Sequence, residues 1–204
     1  MTSIEVDTPH GVAKAELHCA PEGVAVLLLG HGAGGGIDAP DLVAAARAAH
    51  AADLHVALVQ QPYRVAGRRA PAPAGHLDAS WLAVAEYLDE HWFAGLPMVF
   101  GGRSTGARVA CRTASAGQAV AVLCLAFPVV PPGRPDRNRQ AELDAVDVAT
   151  LVVQGERDPF GRPAAGHHRE VVLVPGDHSL KADVDAVSRA VGEWLARVLR
   201  PLVV

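Results

Sequence analysis

The sequence predicts an α/β fold, in which helices cover both faces of a mostly parallel sheet. Two observations predict it. Short apolar stretches, typical of strands, alternate along the chain with longer stretches whose apolar residues recur at helical spacing. In addition, residues 24–29, VAVLLL, are apolar throughout, as expected for a strand buried on both faces of a parallel sheet.

The elements are predicted in chain order. Residues 3–7 and 12–19 alternate loosely around a Thr-Pro-His-Gly turn signal, so they predict a hairpin. Further strands are predicted at 24–29, 54–60, 97–101, 119–127, 149–154 and 170–174. Helices are predicted at 38–52, 78–93, 105–116 and 180–199. Residues 61–77 and 128–140 predict long irregular loops, which often carry function.

Composition limits the class of protein. Half of the 204 residues are apolar and 20% are charged, which is ordinary for a globular chain, and we expect one domain over residues 1–204. The net charge of -4 provides no broad basic field, so we expect no nucleic-acid partner. No apolar run is long enough to cross a bilayer, so we expect no membrane partner.

The cysteines and the first residues indicate a cytoplasmic protein. Cys19, Cys111 and Cys124 form an odd set without CxxC spacing, which argues against a disulfide framework and fits a reducing compartment. We expect all three to be buried, inert side chains. The start of the chain, MTSIEVDTPHG, has neither a basic segment nor an apolar stretch, so we expect no export signal.

Residues 102–106, GRSTG, match the pattern G-x-S-x-G between a predicted strand and a predicted helix. That context is typical of a nucleophile elbow, a strained turn that raises a serine hydroxyl above the sheet. Ser104 is therefore the candidate nucleophile. The alternative is a glycine-rich turn in which Ser104 caps the following helix.

A serine hydroxyl needs a base to remove its proton and an acid to orient that base. In this type of site the acid and then the histidine follow the serine along the chain. Asp158 follows the strand 149–154 and His178 follows the strand 170–174, so both lie at the same sheet edge as Ser104. Asp177 is an alternative acid, but a sequence neighbour rarely reaches the histidine Nδ1.

The first long strand ends in LGHGAGGG. We predict that the backbone N–H groups of Ala33 and Thr105 form the oxyanion hole. The same stretch matches the nucleotide-binding pattern G-x-G-x-x-G at Gly30, Gly32 and Gly35. However, the acid expected about 20 residues later is absent, as is the Gly-Lys-Ser/Thr of a phosphate loop.

Two arginines lie near the predicted site: Arg64 in the loop after the strand 54–60, and Arg103 beside the nucleophile. Each could bind an anionic group of the substrate or anchor a loop through local carboxylates and carbonyls. The sequence leaves both hypotheses open. His167, His168 and Glu170 form a metal-like trio without a second cluster, so we predict no metal and no other cofactor.

With these residues in place, the sequence resembles a known group. LGHGAGGG, GGRSTGARVACR, FPVVPPGRP, VVQGERDPFG and GDHSLK are similar to the small α/β-hydrolase-like domains of the testis-expressed and non-specific-lethal-complex-subunit type. The resemblance spans residues 4–195, and dienelactone-hydrolase-like enzymes are more distant relatives. It implies an α/β-hydrolase fold and the triad roles of Ser104, Asp158 and His178, but no particular substrate.

The resemblance also bears on the pocket and on rival functions. Thr105 stands where a Met or a small residue is common in the wider fold, which affects the shape of the pocket. The chain between the predicted strands 119–127 and 149–154 is too short for a substantial lid domain, so we expect an open cleft.

Together these features predict a serine hydrolase that acts on a small-molecule acyl substrate, an ester or a related compound, through an acyl-serine intermediate. The alternatives are a non-catalytic scaffold and an acyl transferase. The sequence does not indicate the oligomeric state.

Overall fold

The computed structural model describes residues 1–131, 133–134 and 136–200. Within these residues the strands are β1 (Thr2–Thr8), β2 (Gly11–His18), β3 (Ala25–Gly30), β4 (Leu54–Gln60), β5 (Met98–Arg103), β6 (Ala121–Leu125), β7 (Ala149–Gly155) and β8 (Arg169–Val174). The helices are α1 (Pro40–Ala51), α2 (Pro62–Val65), α3 (Ala74–His91), α4 (Thr105–Thr113), α5 (Gln140–Asp144) and α6 (Val184–Val198).

The eight strands form one sheet in the order β1-β2-β4-β3-β5-β6-β7-β8. β2 pairs antiparallel with both β1 and β4, and every other pair is parallel. The predicted hairpin at the start of the chain is therefore confirmed. It turns at Pro9 and His10, and β2 begins at Gly11, whose φ of 110° is a value that favours glycine.

Helices pack on both faces of the sheet, as predicted. α1 and α6 cover one face, and α3 and α4 cover the other. β3 is apolar throughout because it is buried on both faces of the sheet. Leu27 and Leu29 enter the core under α1 and α6, while Val26 and Leu28 enter the core under α3 and α4. Each core holds a fully buried tryptophan, Trp194 on α6 and Trp81 on α3.

The structure differs from the sequence predictions mainly in the helices. α2 lies inside the segment 61–77 that was expected to be irregular, and α5 begins at the last residue of the segment 128–140; neither was predicted, because four or five residues are too few to show a helical period. α3 begins at Ala74 rather than near residue 78. α6 begins at Val184 rather than near residue 180. Leu180 has a φ of 52°, and Asp183 caps the helix by accepting the N–H of Ala186. None of the described helices combines the length and the apolar character needed to cross a membrane.

The prediction that all three cysteines are buried is wrong for Cys19. This residue lies just beyond the last residue of β2, where the alternation of the strand no longer sets burial: Cys19 is exposed, and the next residue, Ala20, is buried. Cys111 and Cys124 are buried as predicted, with their sulfur atoms 3.5 Å apart.

Parallel strands place their carboxyl ends at a common edge of the sheet. β3, β5, β7 and β8 all run in the same direction, so the turns that follow them lie side by side at that edge. Ala33, Ser104, Asp158 and His178 are in these turns. The fold thus gathers four distant stretches of chain at the place where open α/β sheets bind ligands.

Candidate active site

Ser104 occupies a strained turn between β5 and α4. Its φ of 53° and ψ of −106° lie in a region that residues with a side chain rarely adopt, which costs on the order of 1–3 kcal/mol. The N–H of Ser104 donates to the carbonyl of Leu125 at 2.9 Å and ties the turn to β6. A Cβ at Gly102 would lie 2.5 Å from the Gly30 oxygen, and one at Gly106 would overlap that same carbonyl. The two glycines of the motif therefore permit the close approach of β3, β5 and α4.

The side chains of Ser104, His178 and Asp158 form one hydrogen-bonded relay. Nε2 of His178 is 2.9 Å from Oγ of Ser104, and Nδ1 of His178 is 2.8 Å from Oδ2 of Asp158. The Asp158 side chain is fully buried, and 17% of the His178 side chain is exposed. The hydroxyl of Ser104 makes no capping bond to α4, so the structure does not support the alternative in which this serine is a helix cap.

The structure brings Asp158, rather than Asp177, to the histidine. The Asp177 side chain is exposed and accepts hydrogen bonds from the N–H and the hydroxyl of Ser179 at 2.9 and 2.6 Å. These two bonds commit the Asp177 carboxylate to a local turn. The ring instead packs against Phe160, with the ring centroids 4.2 Å apart.

Gln154 holds the Asp158 carboxylate and was missed by the sequence analysis. Its side chain is fully buried, and its Nε2 donates to Oδ2 of Asp158 at 2.7 Å. The same amide also donates to the carbonyls of Phe127 and Gly161. The second oxygen of Asp158 accepts the N–H of Phe160 at 2.8 Å. The sequence held one indication of this role, because Gln154 is a lone polar residue in the otherwise apolar end of β7.

The loop after β3 is anchored by the buried imidazole of His31. Nε2 accepts the N–H of Gln61 at 3.1 Å, so Nδ1 carries the proton and donates to the carbonyl of Gly32 at 2.8 Å. Burial lowers the pKa of His31; the bond to Gly32 raises it, and the charge of Arg64 lowers it further. A neutral ring in this fixed tautomer holds the loop that carries Ala33.

Both predicted oxyanion donors lie beside Ser104. Thr105 follows the serine directly, and a Cβ at Gly32, the residue before Ala33, would lie 3.6 Å from Cβ of Ser104. Within the described residues, the N–H groups of Ala33 and Thr105 donate to no backbone or side-chain acceptor. The hydroxyl of Tyr63 donates to the carbonyl of Ala33 at 2.8 Å and so holds the next peptide group of the loop, between Ala33 and Gly34.

The two arginines differ in what they contact. Nε of Arg103 is 3.0 Å from Oδ2 of the buried Asp41, and Nη2 of Arg103 donates to the carbonyl of His178 at 3.0 Å. Burial raises the pKa of Asp41, and the charge of Arg103 opposes that rise. Arg64 contacts the carbonyl of Arg68 at 3.4 Å, and in the described chain it lies within salt-bridge distance of no carboxylate.

Two hollows that share lining residues lie on the Thr105 side of the site. A cavity of about 650 Å³ lies between the hairpin turn at His10 and the segment 61–77. Gln61, Tyr63 and Leu77 line this cavity and also a space of about 10 Å³ that reaches Thr105. Among the described residues, no acidic side chain lines either hollow. Among the residues that the structure describes, no group of three His, Cys, Asp or Glu side chains is placed to hold a metal ion.

Comparison with known protein families gives one match over most of the chain. The profile of a family described as alpha/beta hydrolase domain matches residues 23–193. The search of curated proteins finds no match.

Solved structures share the fold at low sequence identity. An α/β serine hydrolase without lid from Xanthomonas campestris is 21% identical, with a TM-score of 0.75 and coverage of 96% of this chain and 94% of that chain. Est1E from Butyrivibrio proteoclasticus, bound to ferulic acid, is 16% identical, with a TM-score of 0.80 and coverage of 96% and 99%. Dienelactone hydrolase from Anabaena variabilis is 18% identical, with a TM-score of 0.76 and coverage of 96% of each chain. At this identity the likeness establishes the fold alone.

Proposed function

The chain belongs to the alpha/beta hydrolase domain family, and from that premise we propose that it is a serine hydrolase of a carboxylic ester or a related acyl compound. The observation that carries the proposal is the relay from Asp158 through His178 to Ser104, with contacts of 2.8 and 2.9 Å. A strained turn presents the serine, and a buried carboxylate orients the base. Both features have a cost for folding, and both serve acyl transfer chemistry.

The first half of the reaction uses every contact of the relay. Asp158 accepts a hydrogen bond from Nδ1–H of His178 and keeps the proton on that nitrogen, so the lone pair of Nε2 is directed at the Ser104 hydroxyl. His178 removes the hydroxyl proton while Oγ of Ser104 attacks the acyl carbon. The carbonyl oxygen becomes an oxyanion, which accepts hydrogen bonds from the N–H groups of Ala33 and Thr105.

The second half returns the enzyme to its starting state. His178 gives its new proton to the leaving group, and the carbon–oxygen bond of the ester breaks to leave an acyl-Ser104. Water then loses a proton to His178 and attacks the acyl group. Ser104 is released with its proton restored. Transfer to an acceptor other than water would use the same residues, so the nature of the acceptor is part of the test below.

Arg64 is the better of the two arginines for binding an anionic group of the substrate. Arg103 is engaged by Asp41 and by the His178 carbonyl, whereas Arg64 lies next to Tyr63, which contacts the oxyanion loop. We expect Arg64→Met to raise the KM for anionic esters and to leave neutral esters unchanged. An equal effect on the two ester classes would remove Arg64 from the substrate site.

Several finer assignments are part of the same proposal. We place the chain with the testis-expressed and non-specific-lethal-complex-subunit type of small hydrolase-like domains, on the motifs given above. We also propose a cytoplasmic protein of one domain that acts on small molecules without a cofactor. A non-catalytic scaffold of the same fold is the outcome to be excluded.

The test uses short p-nitrophenyl esters, thioesters and lactones with three proteins: wild type, Ser104→Ala and Ser115→Ala. Ser115 is an exposed serine just beyond α4 and serves as the matched control. We expect turnover by wild type and Ser115→Ala, and a loss of at least about 1000-fold in Ser104→Ala. Adding small alcohols as acceptors separates acyl transfer from hydrolysis. Folded wild-type protein that turns over none of these compounds, and that no fluorophosphonate labels, would support the scaffold instead.

A further inference from the structure

Three segments of the site meet at the guanidinium group of Arg103. Its Nε lies 3.0 Å from Oδ2 of Asp41, in the first turn of α1. Its Nη2 donates to the backbone carbonyl of His178 at 3.0 Å. Its Nη1 lies beneath the oxyanion loop, where a Cβ on Gly32 would be only 2.8 Å away. One side chain thus contacts the start of α1, the oxyanion loop and the turn that carries the base.

Burial of the Asp41 carboxylate keeps the guanidinium in this position. The Asp41 side chain has no solvent exposure, and 19% of the Arg103 side chain is exposed. A buried carboxylate that loses its cationic partner becomes strongly destabilising. Arg103 therefore stays with Asp41 and is not released to meet a substrate.

Backbone bonds hold the chain beside His178: the N–H of Arg157 donates to the carbonyl of Gly176 at 2.9 Å, and the N–H of Leu180 donates to the carbonyl of Asp177 at 3.1 Å. The carbonyl of His178 itself is held by Arg103. Gly176 and Leu180 have φ values of 116° and 52°, so the chain around the histidine has no regular secondary structure. The ring of His178 contacts Ser104 and Asp158 through its two nitrogens, but neither contact fixes the backbone of the residue. The bond from Arg103 to the carbonyl does, and Arg103 is joined covalently to Ser104. Base and nucleophile are thereby linked through one residue.

We infer that Arg103, held by Asp41, is a positioning residue that sets the distance between the imidazole of His178 and the hydroxyl of Ser104. The inference rests on the proposed hydrolase function. An arginine suits the role because its planar fork presents donors on separate nitrogens to separate acceptors. A lysine ammonium is a single point on a flexible stem. It can pair with Asp41 or donate to the carbonyl of His178, but it cannot reproduce the fork.

The experiment compares Arg103→Met and Arg103→Lys with the matched control Arg112→Met. Arg112 also has 19% side-chain exposure and pairs with Asp78 and Glu142, but it contacts no member of the relay. We expect both Arg103 variants to lower kcat for a neutral ester by about 10- to 100-fold, because a small misplacement of reacting groups has effects of this size. KM should stay within about twofold, and Arg112→Met should leave both constants near those of wild type.

A double variant separates positioning from folding. Asp41→Asn combined with Arg103→Met removes the unpaired buried charge, so the protein should unfold at nearly the same urea concentration as wild type. Its kcat should nevertheless stay as low as that of Arg103→Met. A double variant with wild-type kcat would overturn the inference, as would an Arg112→Met variant that loses as much activity.

A spectroscopic signal makes the result independent of turnover. The proton shared by Nδ1 of His178 and Asp158 gives a downfield resonance in histidine-labelled protein, provided that the ring is held in place. We expect this resonance to weaken or shift in both Arg103 variants and to persist in Arg112→Met. If wild type shows the resonance but has no activity, the proposed function fails and the positioning role is still tested. If wild type is active and Arg103→Met changes neither kcat nor the resonance, the positioning role alone fails.

Discussion

Replacing Gln154 by methionine tests how the acid of the relay is held. The amide of Gln154 is fully buried and donates to the Asp158 carboxylate at 2.7 Å and to the carbonyls of Gly161 and Phe127 at 2.9 and 3.2 Å. Methionine has a similar length but no donor. The variant therefore keeps most of the packing and removes these three contacts together.

The expected loss follows from those contacts. A hydrogen bond to a charged group contributes about 1.5–3 kcal/mol, and a neutral one contributes about 1 kcal/mol. The two amide protons of Gln154 are shared among three acceptors, so we expect the free energy of unfolding to fall by about 3–4 kcal/mol. That is a large part of the roughly 5–15 kcal/mol of a typical domain. Asp158 keeps its bonds to Phe160 and His178, so kcat should fall only about tenfold, which corresponds to about 1.4 kcal/mol.

The assay is urea unfolding, monitored by tryptophan fluorescence, together with ester hydrolysis measured without urea. Gln140→Met is the matched control, because the amide of Gln140 also donates to a carboxylate, that of Asp144, but on the surface. We expect the control to change the free energy of unfolding by less than about 0.5 kcal/mol. Equal losses in the two variants, or a Gln154→Met variant with wild-type stability, would refute the role given to the buried amide.

Three further predictions concern the turn and the loop of the site. Ser104→Gly should abolish activity and unfold with a free energy about 1 kcal/mol higher than that of Ser104→Ala in urea, because glycine adopts the φ of 53° without strain. Gly106→Ala should destabilise the protein by more than about 3 kcal/mol or prevent soluble expression, since the new Cβ would overlap the Gly30 carbonyl. Gly34→Ala is the control: nothing lies within 4 Å of its Cβ, so its urea unfolding should be nearly that of wild type. Burial lowers the pKa of His31 below the ordinary 6.5, so the unfolded chain binds a proton at a higher pH than the folded chain does. The stability that the neutral ring provides should therefore be complete above about pH 6.5 and should decline at lower pH. The difference in urea stability between wild type and His31→Gln should therefore shrink from pH 7.5 to pH 5.5, and a constant difference would contradict this origin.

The sequence predicted those features that depend on local patterns and chain order. The strands, the G-x-S-x-G turn and the strand ends at Asp158 and His178 are all readable from neighbouring residues, because parallel strands bring their carboxyl ends to one edge. The same reasoning distinguished Asp158 from Asp177, since a sequence neighbour of the histidine is badly placed to reach Nδ1. The strained elbow at Ser104 was also predicted from the local motif, whose two glycines lie against the carbonyl of Gly30.

The missed features depend on contacts between distant segments. Asp41 lies in the first turn of α1, a place where acidic residues are common, and the sequence does not show that it is buried against Arg103. Gln154 was visible as a polar residue in an apolar strand, but its three acceptors come from separate loops. Sequence also left two hypotheses for Arg103, because the choice between a substrate and a buried carboxylate is made by the tertiary structure.

The central claim is that His178 removes the proton of Ser104. The most direct measurement is the rate of covalent labelling by an uncharged fluorophosphonate, with the modified peptide identified by mass spectrometry, in wild type, His178→Gln and His91→Gln. His91 is an exposed histidine at the end of α3, away from the relay and from the cavity beside it, and serves as the control. We predict that wild type and His91→Gln are labelled at Ser104 at the same rate, and that His178→Gln is labelled at least about 1000-fold more slowly. Labelling of another residue, or an unchanged rate in folded His178→Gln, would contradict the claim.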